Sequence, residues 1–305
     1  MGSYRYTPFS PFLARYLDGK IQKISVHAGL TCPNRDGSIG VGGCTYCNNQ
    51  TFSPDYCHTG KSISEQLTEG IAFFARKYPS MRYLAYFQAY TNTYGELQEL
   101  KSLYEEALKV EGVVGLVIGT RPDCMPDELL EFLVKLSKRT FILIEYGVES
   151  TKEETLIRIN RGHTWLQAKE AINRASAAGL LTGAHFILGL PGETHEEILL
   201  HADRIAALPL NTLKLHQLQL IQMTRMAQEY QTNPEQFHLF TVDEYIDLVI
   251  DFLERLPQSV VVERFTSQSP KELLIAPDWG LKNYEFTHKL LHRMEERNSW
   301  QGKAL

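Results

Sequence analysis

Six short apolar runs, alternating with stretches of helical character, govern what this chain can fold into. The runs lie at 21–26, 83–87, 113–118, 141–148, 182–188 and 212–220. They have strand length and are rich in β-branched and aromatic residues. The stretches at 62–77, 96–110, 126–138, 165–178 and near 195–207 read as helices. Ser62 and Glu65 have the spacing of a capping box, Pro126 suits a first helical turn, and Gly179 suits a C-terminal stop. Continuous apolar strands alternating with helices imply a parallel sheet buried on both faces. Right-handed crossovers curl such units into a barrel whose working mouth lies at the carboxyl ends of the strands. The expected fold is therefore α/β, a partial (β/α)6 TIM-type barrel. A helix at 242–256, a strand at 260–265, a polar segment at 271–279 and a helix at 284–297 read as a C-terminal α/β extension covering one side. The expected division is 1–20 as a segment packing on the barrel, 21–222 as the core and 223–305 as the extension.

The mouth of such a barrel would hold the glycine-rich loop Thr31-Cys32-Pro33-Asn34-Arg35-Asp36-Gly37, which runs on through Gly42-Gly43-Cys44-Thr45-Tyr46-Cys47. Three of five cysteines sit here with spacing C-x11-C-x2-C. Thiolates are soft ligands for zinc or iron–sulfur clusters. A structural zinc would need a fourth ligand, for which Cys57, His27 and His58 are available. Three ligands alone would leave one iron of a [4Fe–4S] cluster open, as in radical S-adenosylmethionine (SAM) enzymes. Purely structural cysteines are the third reading. Cys57 and Cys124 have no partner at metal spacing.

Charge and length narrow the setting. The chain has 305 residues, 43% of them hydrophobic, which suits one barrel-sized domain with a large core. It has no apolar run of about 18 residues, so no membrane partner is expected. It has no signal-peptide pattern at its start, and its cysteine usage suits a reducing cytoplasm. The net charge of −5 argues against a broadly basic surface for nucleic acid. Locally, Arg5, Arg15, Lys20 and Lys23 interleave with Tyr4, Tyr6 and Tyr16, which could grip RNA or simply pack on the domain.

The remaining strand ends carry polar residues. Gln88-Ala89-Tyr90-Thr91-Asn92-Thr93 follows strand two, Glu149 ends strand four, Arg161 and His163 precede the next helix, and Gly189-Leu190-Pro191-Gly192 follows strand five. Ile187 and Leu188 could flank a flat ring. Glu145, His185, Lys214, His216 and Gln217 are polar residues within apolar strands, so they either line a cavity or form a satisfied core network.

Together these residues resemble the YhcC/YtqA family of radical SAM proteins, which is related to the Elongator catalytic subunit. The resemblance rests on 23–37 with Gly43-Cys44-Thr45-Tyr46-Cys47, on 86–93, on Gly119-Thr120-Arg121-Pro122-Asp123, on 145–150, on 160–164 and on 189–194. Its wide cysteine spacing departs from the C-x3-C-x2-C of most of the superfamily. The resemblance implies a [4Fe–4S] cluster on Cys32, Cys44 and Cys47, and SAM as cofactor. By motif position, Tyr46, Gln88, Tyr90, Thr91, Asn92, Glu149, Arg161 and Leu188 would bind SAM. Glu149 would take the ribose and Arg161 the carboxylate. One branch resembles MnmL-type enzymes of the tRNA wobble uridine, which convert 5-carboxymethylaminomethyluridine to 5-aminomethyluridine. That would make tRNA a partner, with a low-potential electron donor such as flavodoxin or ferredoxin. Arg121, Glu145, His185, Lys214, His216 and Gln217 are then the catalytic or substrate-contacting candidates. Lys214, His216 and Arg121 are the ones able to meet the glycine-derived carboxylate. RNA contacts would come from the basic N-terminal segment and from Lys282, Lys289, Arg293 and Arg297. The rival readings are a radical SAM enzyme on a small metabolite or peptide, and a zinc-stabilised binding protein without chemistry.

Overall fold

The computed structural model describes residues 4–76 and 80–305. Lys77, at the end of the first expected helix, and the first three residues of the N-terminal segment lie outside them. A short helix α1 (Phe9–Leu13) precedes β1 (Lys20–Val26) and the long cysteine loop. Next come α2 (Ile63–Ala75), β2 (Met81–Phe87), α3 (Leu97–Leu108), β3 (Val113–Thr120), α4 (Asp127–Ser137) and β4 (Phe141–Glu149). Two helices, α5 (Glu153–Arg158) and α6 (Trp165–Ala177), lead to β5 (Leu181–Leu188), α7 (His195–Ala206) and β6 (Thr212–Gln217). The chain then runs through β7 (Leu220–Ile221), α8 (Arg225–Thr232), α9 (Val242–Glu254), β8 (Val261–Arg264), β9 (Leu274–Ala276) and α10 (Asn283–Glu296).

Helix starts follow local chemistry. Ser62, Thr164, Thr194 and Thr241 each cap a helix in a complete capping box with Glu65, Gln167, Glu197 and Glu244. Each such side chain satisfies an otherwise orphaned N–H, worth about 1 kcal/mol. Pro126 sits one position earlier than expected, as the N-cap of α4. Leu129, Leu133 and Leu136 recur on one face of α4 and are buried against the sheet. Burying each such leucine contributes roughly 1.5–3 kcal/mol.

Seven strands form one parallel sheet in the order β1-β2-β3-β4-β5-β6-β8. The sheet curls into a half-barrel with helices on its outer face. Six strands are as expected; the seventh, β8, comes from the C-terminal extension and pairs with β6 along Thr212↔Val261 and Leu213↔Val262. The extension therefore lengthens the sheet as well as covering it. The sixth strand is shorter than its apolar run. It ends at Gln217, and Leu220–Ile221 pairs antiparallel with Leu274–Ala276 in a separate ribbon.

Strand alternation sorts the side chains. Ile24, Val26, Ala85, Phe87, Ile118, Ile144, Phe186 and Leu215 face the helices in the main core. Leu84, Val117, Phe141 and Leu143 face inward at the amino ends, where Phe12 and Leu13 of α1 plug the barrel. The Val262 N–H donates to the Thr7 carbonyl, 2.8 Å, tying the plug to the last strand. Lys23 on β1 reaches across the interior to Glu263 on β8, Nζ to Oε2 2.6 Å, so the two edge strands are bridged through the barrel.

Candidate active site

At the carboxyl ends of the strands a cavity of about 250 Å³ opens. The cysteine loop forms one wall and the polar interior of the sheet forms its floor. The loop is held by its own backbone. Arg35 and Asp36 N–H groups donate to the Cys32 carbonyl, Gly43 N–H to Asn34, and Cys47 N–H to Cys44. A Cβ at Gly40 would lie 2.4 Å from Asn34 Oδ1, so the turn needs glycine there. Distant segments pin it further. Thr45 N–H donates to the Ile159 carbonyl, Asn160 Nδ2 and Arg225 Nη2 donate to the Gly43 carbonyl, and Asn48 Nδ2 donates to Gln222.

Cys32, Cys44 and Cys47 all line the cavity as free cysteines. Cys57, His27 and His58, the fourth ligands a zinc ion would need, are absent from its lining. Among the described residues no three His, Cys, Asp or Glu side chains converge to hold a single metal ion. The surroundings fit an anionic iron–sulfur group. Arg161 Nη1 and Asn34 Nδ2 approach Cys44 Sγ at 3.5 and 3.7 Å, and Asn49 Nδ2 approaches Cys47 Sγ at 3.8 Å. Such donors tune iron–sulfur thiolates. Burial, and then the charge of Cys44, push the Cys47 thiol up to about 11 against the pull of Arg35. A bound metal would supply the missing positive charge.

Beside the cysteines, Glu149 and Arg161 face each other. A bulge between Gly147 and Glu149 turns the end of β4, and Glu149 takes a left-handed backbone, φ 70°. That conformation is costly for a side-chain-bearing residue and turns its carboxylate into the cavity. Burial raises the Glu149 carboxyl, partly offset by Arg161 and by a hydrogen bond with Tyr46. Arg161 donates from Nη2 to the Gly147 carbonyl and lies 3.7 Å from Glu149 Oε1. Its Nε is buried without a protein partner. A buried guanidinium N–H of this kind calls for a ligand acceptor.

The expected SAM contacts do not all meet. Tyr46, Gln88, Tyr90, Thr91, Glu149 and Arg161 line the cavity. Leu188 does not. It points to the helices within the main core, and alternation puts Ile187 on the cavity side instead. Asn92 does not either. It is buried, with Nδ2 donating to the Phe87 and Gly119 carbonyls, so it holds the ends of β2 and β3 together.

The floor is a belt of charge drawn from five strands. Lys23 Nζ meets Glu145 Oε1 at 2.9 Å, and Lys214 Nζ meets Glu145 Oε2 at 2.6 Å and Glu263 Oε1 at 3.3 Å. Lys214 also donates to the Tyr86 hydroxyl, 3.1 Å, and His185 Nε2 lies 3.0 Å from Glu145 Oε2. Burial alone would raise the Glu145 carboxyl, but Lys214, Lys23 and His185 outweigh it and hold it well below the usual range. Burial, then Lys214, push His185 down to about 4. Burial, then Arg264, hold His216 well below its ordinary value. Gln217 exchanges two hydrogen bonds with the Ser267 backbone. Arg121 is gripped by both oxygens of Asp123, at 2.9 and 2.8 Å, and donates to the Arg161 carbonyl. Sequence reasoning missed Tyr86 and Arg264 in the cavity lining and Lys23 and Glu263 in the charge belt beneath it. Only the polar-within-apolar signal at Lys23 and Glu263 could have marked them.

The residues expected to touch RNA are largely engaged. Arg293 and Arg297 pair with Asp247, and Arg297 also with Asp251. Arg5 donates to the Ser299 carbonyl, and Lys23 lies in the belt. The cavity rim instead carries the amides Asn48, Asn49, Gln219 and Gln268.

Comparison with known proteins follows the same lines. The family model "Radical SAM superfamily" matches residues 32–205, and "Radical_SAM C-terminal domain" matches 210–296. Protein YtqA of Bacillus subtilis (strain 168) is 34% identical over 98% of this chain and 92% of its own length. Protein YhcC of Escherichia coli (strain K12) is 35% identical over 97% of this chain and 94% of its own. In solved structures, the archaeal Methanocaldococcus infernus Elp3 superposes with a TM-score of 0.69 at 16% identity, covering 93% of this chain and 65% of that one. No helix among the described residues is long and apolar enough to cross a membrane.

Proposed function

Because the chain belongs to the radical SAM superfamily and to its YhcC/YtqA group, we propose that this radical SAM enzyme acts in the cytoplasm on the wobble uridine of tRNA. The reaction would convert 5-carboxymethylaminomethyluridine to 5-aminomethyluridine. When bound, a [4Fe–4S] cluster and SAM supply a 5′-deoxyadenosyl radical that takes a hydrogen atom from substrate, with the electron drawn from a donor such as flavodoxin or ferredoxin. Cys32, Cys44 and Cys47 hold the cluster. Glu149 would hold the ribose hydroxyls, and Arg161, whose Nε is buried without a partner, would hold the methionine carboxylate. Gln88, Tyr90 and Thr91 stand on the same wall and orient the cofactor.

The observation that carries this reading is the shared cavity. The cysteine loop and the Glu145–His185–His216 floor line one space, so a substrate group seated on the floor lies within reach of cofactor held by the loop. The hydrogen would leave the methylene of the glycine-derived arm. Loss of one electron to the redox chain and one proton then gives an imine. Water adds to it, releasing glyoxylate and the 5-aminomethyl base. Within the belt, Lys214 is paired with Glu145 beside the cavity, and the His185 and His216 rings stand at its floor. The rim amides suit base edges.

The amide rim and the net charge of −5 suit a small metabolite or a peptide equally well, which is the second reading. Mass spectrometry of tRNA nucleosides from a deletion strain separates the two. Accumulated 5-carboxymethylaminomethyluridine with loss of aminomethyl products supports the wobble-base reading. Unchanged nucleosides, where no other enzyme substitutes, return the substrate to the second.

A further inference from the structure

Among the described residues, two guanidinium nitrogens are buried without a hydrogen-bond partner, Arg161 Nε and Arg264 Nε. Both side chains line the one cavity. Arg161 stands beside Cys44, at the cofactor end. Arg264 ends β8, at the floor. Its Nη2 lies 3.4 Å from Nδ1 and 3.3 Å from Nε2 of His216. Near-equal distances to both ring nitrogens place the guanidinium across the imidazole face, a stacking contact rather than a directed hydrogen bond. The His216 Nδ1 is already engaged by the Ser267 hydroxyl. No Asp or Glu among the described residues pairs with Arg264, although every other cation of the floor has its carboxylate.

Counting charge sharpens this. Lys23 and Lys214 share Glu145 and Glu263, so those four groups cancel. Burial keeps His185 and His216 neutral. One positive charge is left over, and it is Arg264. The candidates that sequence offered for an anion are otherwise engaged: Lys214 by two carboxylates, His216 by Ser267, and Arg121 by Asp123.

We propose that Arg264 is the specificity residue of the substrate site and binds a single carboxylate through its free guanidinium edge. The enzyme would then take a substrate bearing one carboxylate close to the carbon that loses hydrogen. A planar fork supported by a stacked ring suits a carboxylate and rejects a neutral isostere, because an amide would leave the buried charge uncompensated. Naming that group as the glycine-derived arm rests on the wobble-uridine reading; the carboxylate site itself does not.

The test is calorimetry on the SAM-loaded, cluster-containing enzyme, with 5-carboxymethylaminomethyluridine and its carboxamide as probes. Wild type, Arg264→Lys and Arg264→Gln are compared, with cluster absorbance and thermal midpoint as folding controls. The expected result is that wild type prefers the acid by about tenfold or more, that Gln abolishes the preference and that Lys keeps part of it. Absence of a preference in wild type, or its persistence in Arg264→Gln, overturns the assignment. So does a variant whose defect is confined to SAM affinity, since Arg264 would then serve the cofactor carboxylate. If neither nucleoside binds, the wobble-uridine reading fails by itself. N-acetylglycine against N-acetylglycinamide then decides the carboxylate site by the same comparison: an acid preference lost in Arg264→Gln upholds it, and no preference refutes it.

Discussion

At the residue scale, the site depends on where side chains are missing as much as on where they stand. A Cβ at Gly147 would fall 2.6 Å from Arg161 Nη2 and 2.7 Å from Glu149 Oε1. Gly147→Ala should therefore push both of these cavity-lining groups aside. SAM affinity should drop on the order of ten- to a hundredfold, while overpacking costs only about 1–3 kcal/mol of stability. Calorimetry with SAM and urea unfolding would separate the two effects, and an unchanged SAM affinity would remove Arg161 and Glu149 from the cofactor site. The buried imidazoles give a pH signature. Burial, then Arg161 and Arg121, push His163 down to about 3, and His185 sits at about 4, against an ordinary value of 6.5. Between those values the unfolded chain binds more protons, so stability is full above about 6.5 and falls as pH drops. Each imidazole should cost up to about 2 kcal/mol by pH 5. Urea midpoints at pH 7, 6 and 5 should fall accordingly, and His185→Gln should flatten the slope. That Cys32, Cys44 and Cys47 share one loop at the cavity was legible in sequence because it is written in local spacing. The outward turn of Leu188 and the importance of Arg264 were not, because both depend on which face of a strand meets the cavity.

At the element scale, the alternation of strand and helix was legible because each unit buries its own apolar faces. The partner of an isolated short strand was not. Residues 260–265 read correctly as a strand, but nothing local tells that β8 pairs with β6 across an intervening helical stretch. That pairing is what brings Glu263 and Arg264 to the floor, so the charge belt could not be assembled from sequence. The belt joins β1, β4, β5, β6 and β8 through Lys23, Glu145, His185, Lys214 and Glu263. Glu145→Gln removes the carboxylate shared by buried Lys214 and half-buried Lys23. It should destabilise the fold by about 3–5 kcal/mol, as breaking a buried pair does. Adding Lys214→Met to that variant should recover much of the loss, since the uncompensated charge is then gone. Urea unfolding of the single and double variants checks this. Equal stability of wild type and Glu145→Gln would mean that water, rather than protein, neutralises the belt.

At the scale of the whole molecule, charge is placed inward. The chain is acidic overall, yet its cavity floor carries one excess positive charge, and Arg293 and Arg297, at the end of α10, are locked onto Asp247 and Asp251 of α9. An RNA held by such a protein would be held mainly by a base and its substituent in the cavity and by amides at the rim. Few phosphates would be neutralised, so few counterions would be released. With about two to three phosphate contacts to a single-stranded loop, the slope of log affinity against log salt should be near −2, and affinity should fall only about tenfold between roughly 50 and 200 mM salt. Fluorescence anisotropy with an anticodon stem-loop across that range measures it. A slope of about −6 or steeper would mean that a basic face, and not the cavity, carries the RNA. In that case the exposed Lys282, at the N-cap of α10, and Lys289 on that helix become the first residues to replace, because Arg293 and Arg297 cannot leave their aspartates without loosening the α9–α10 contact.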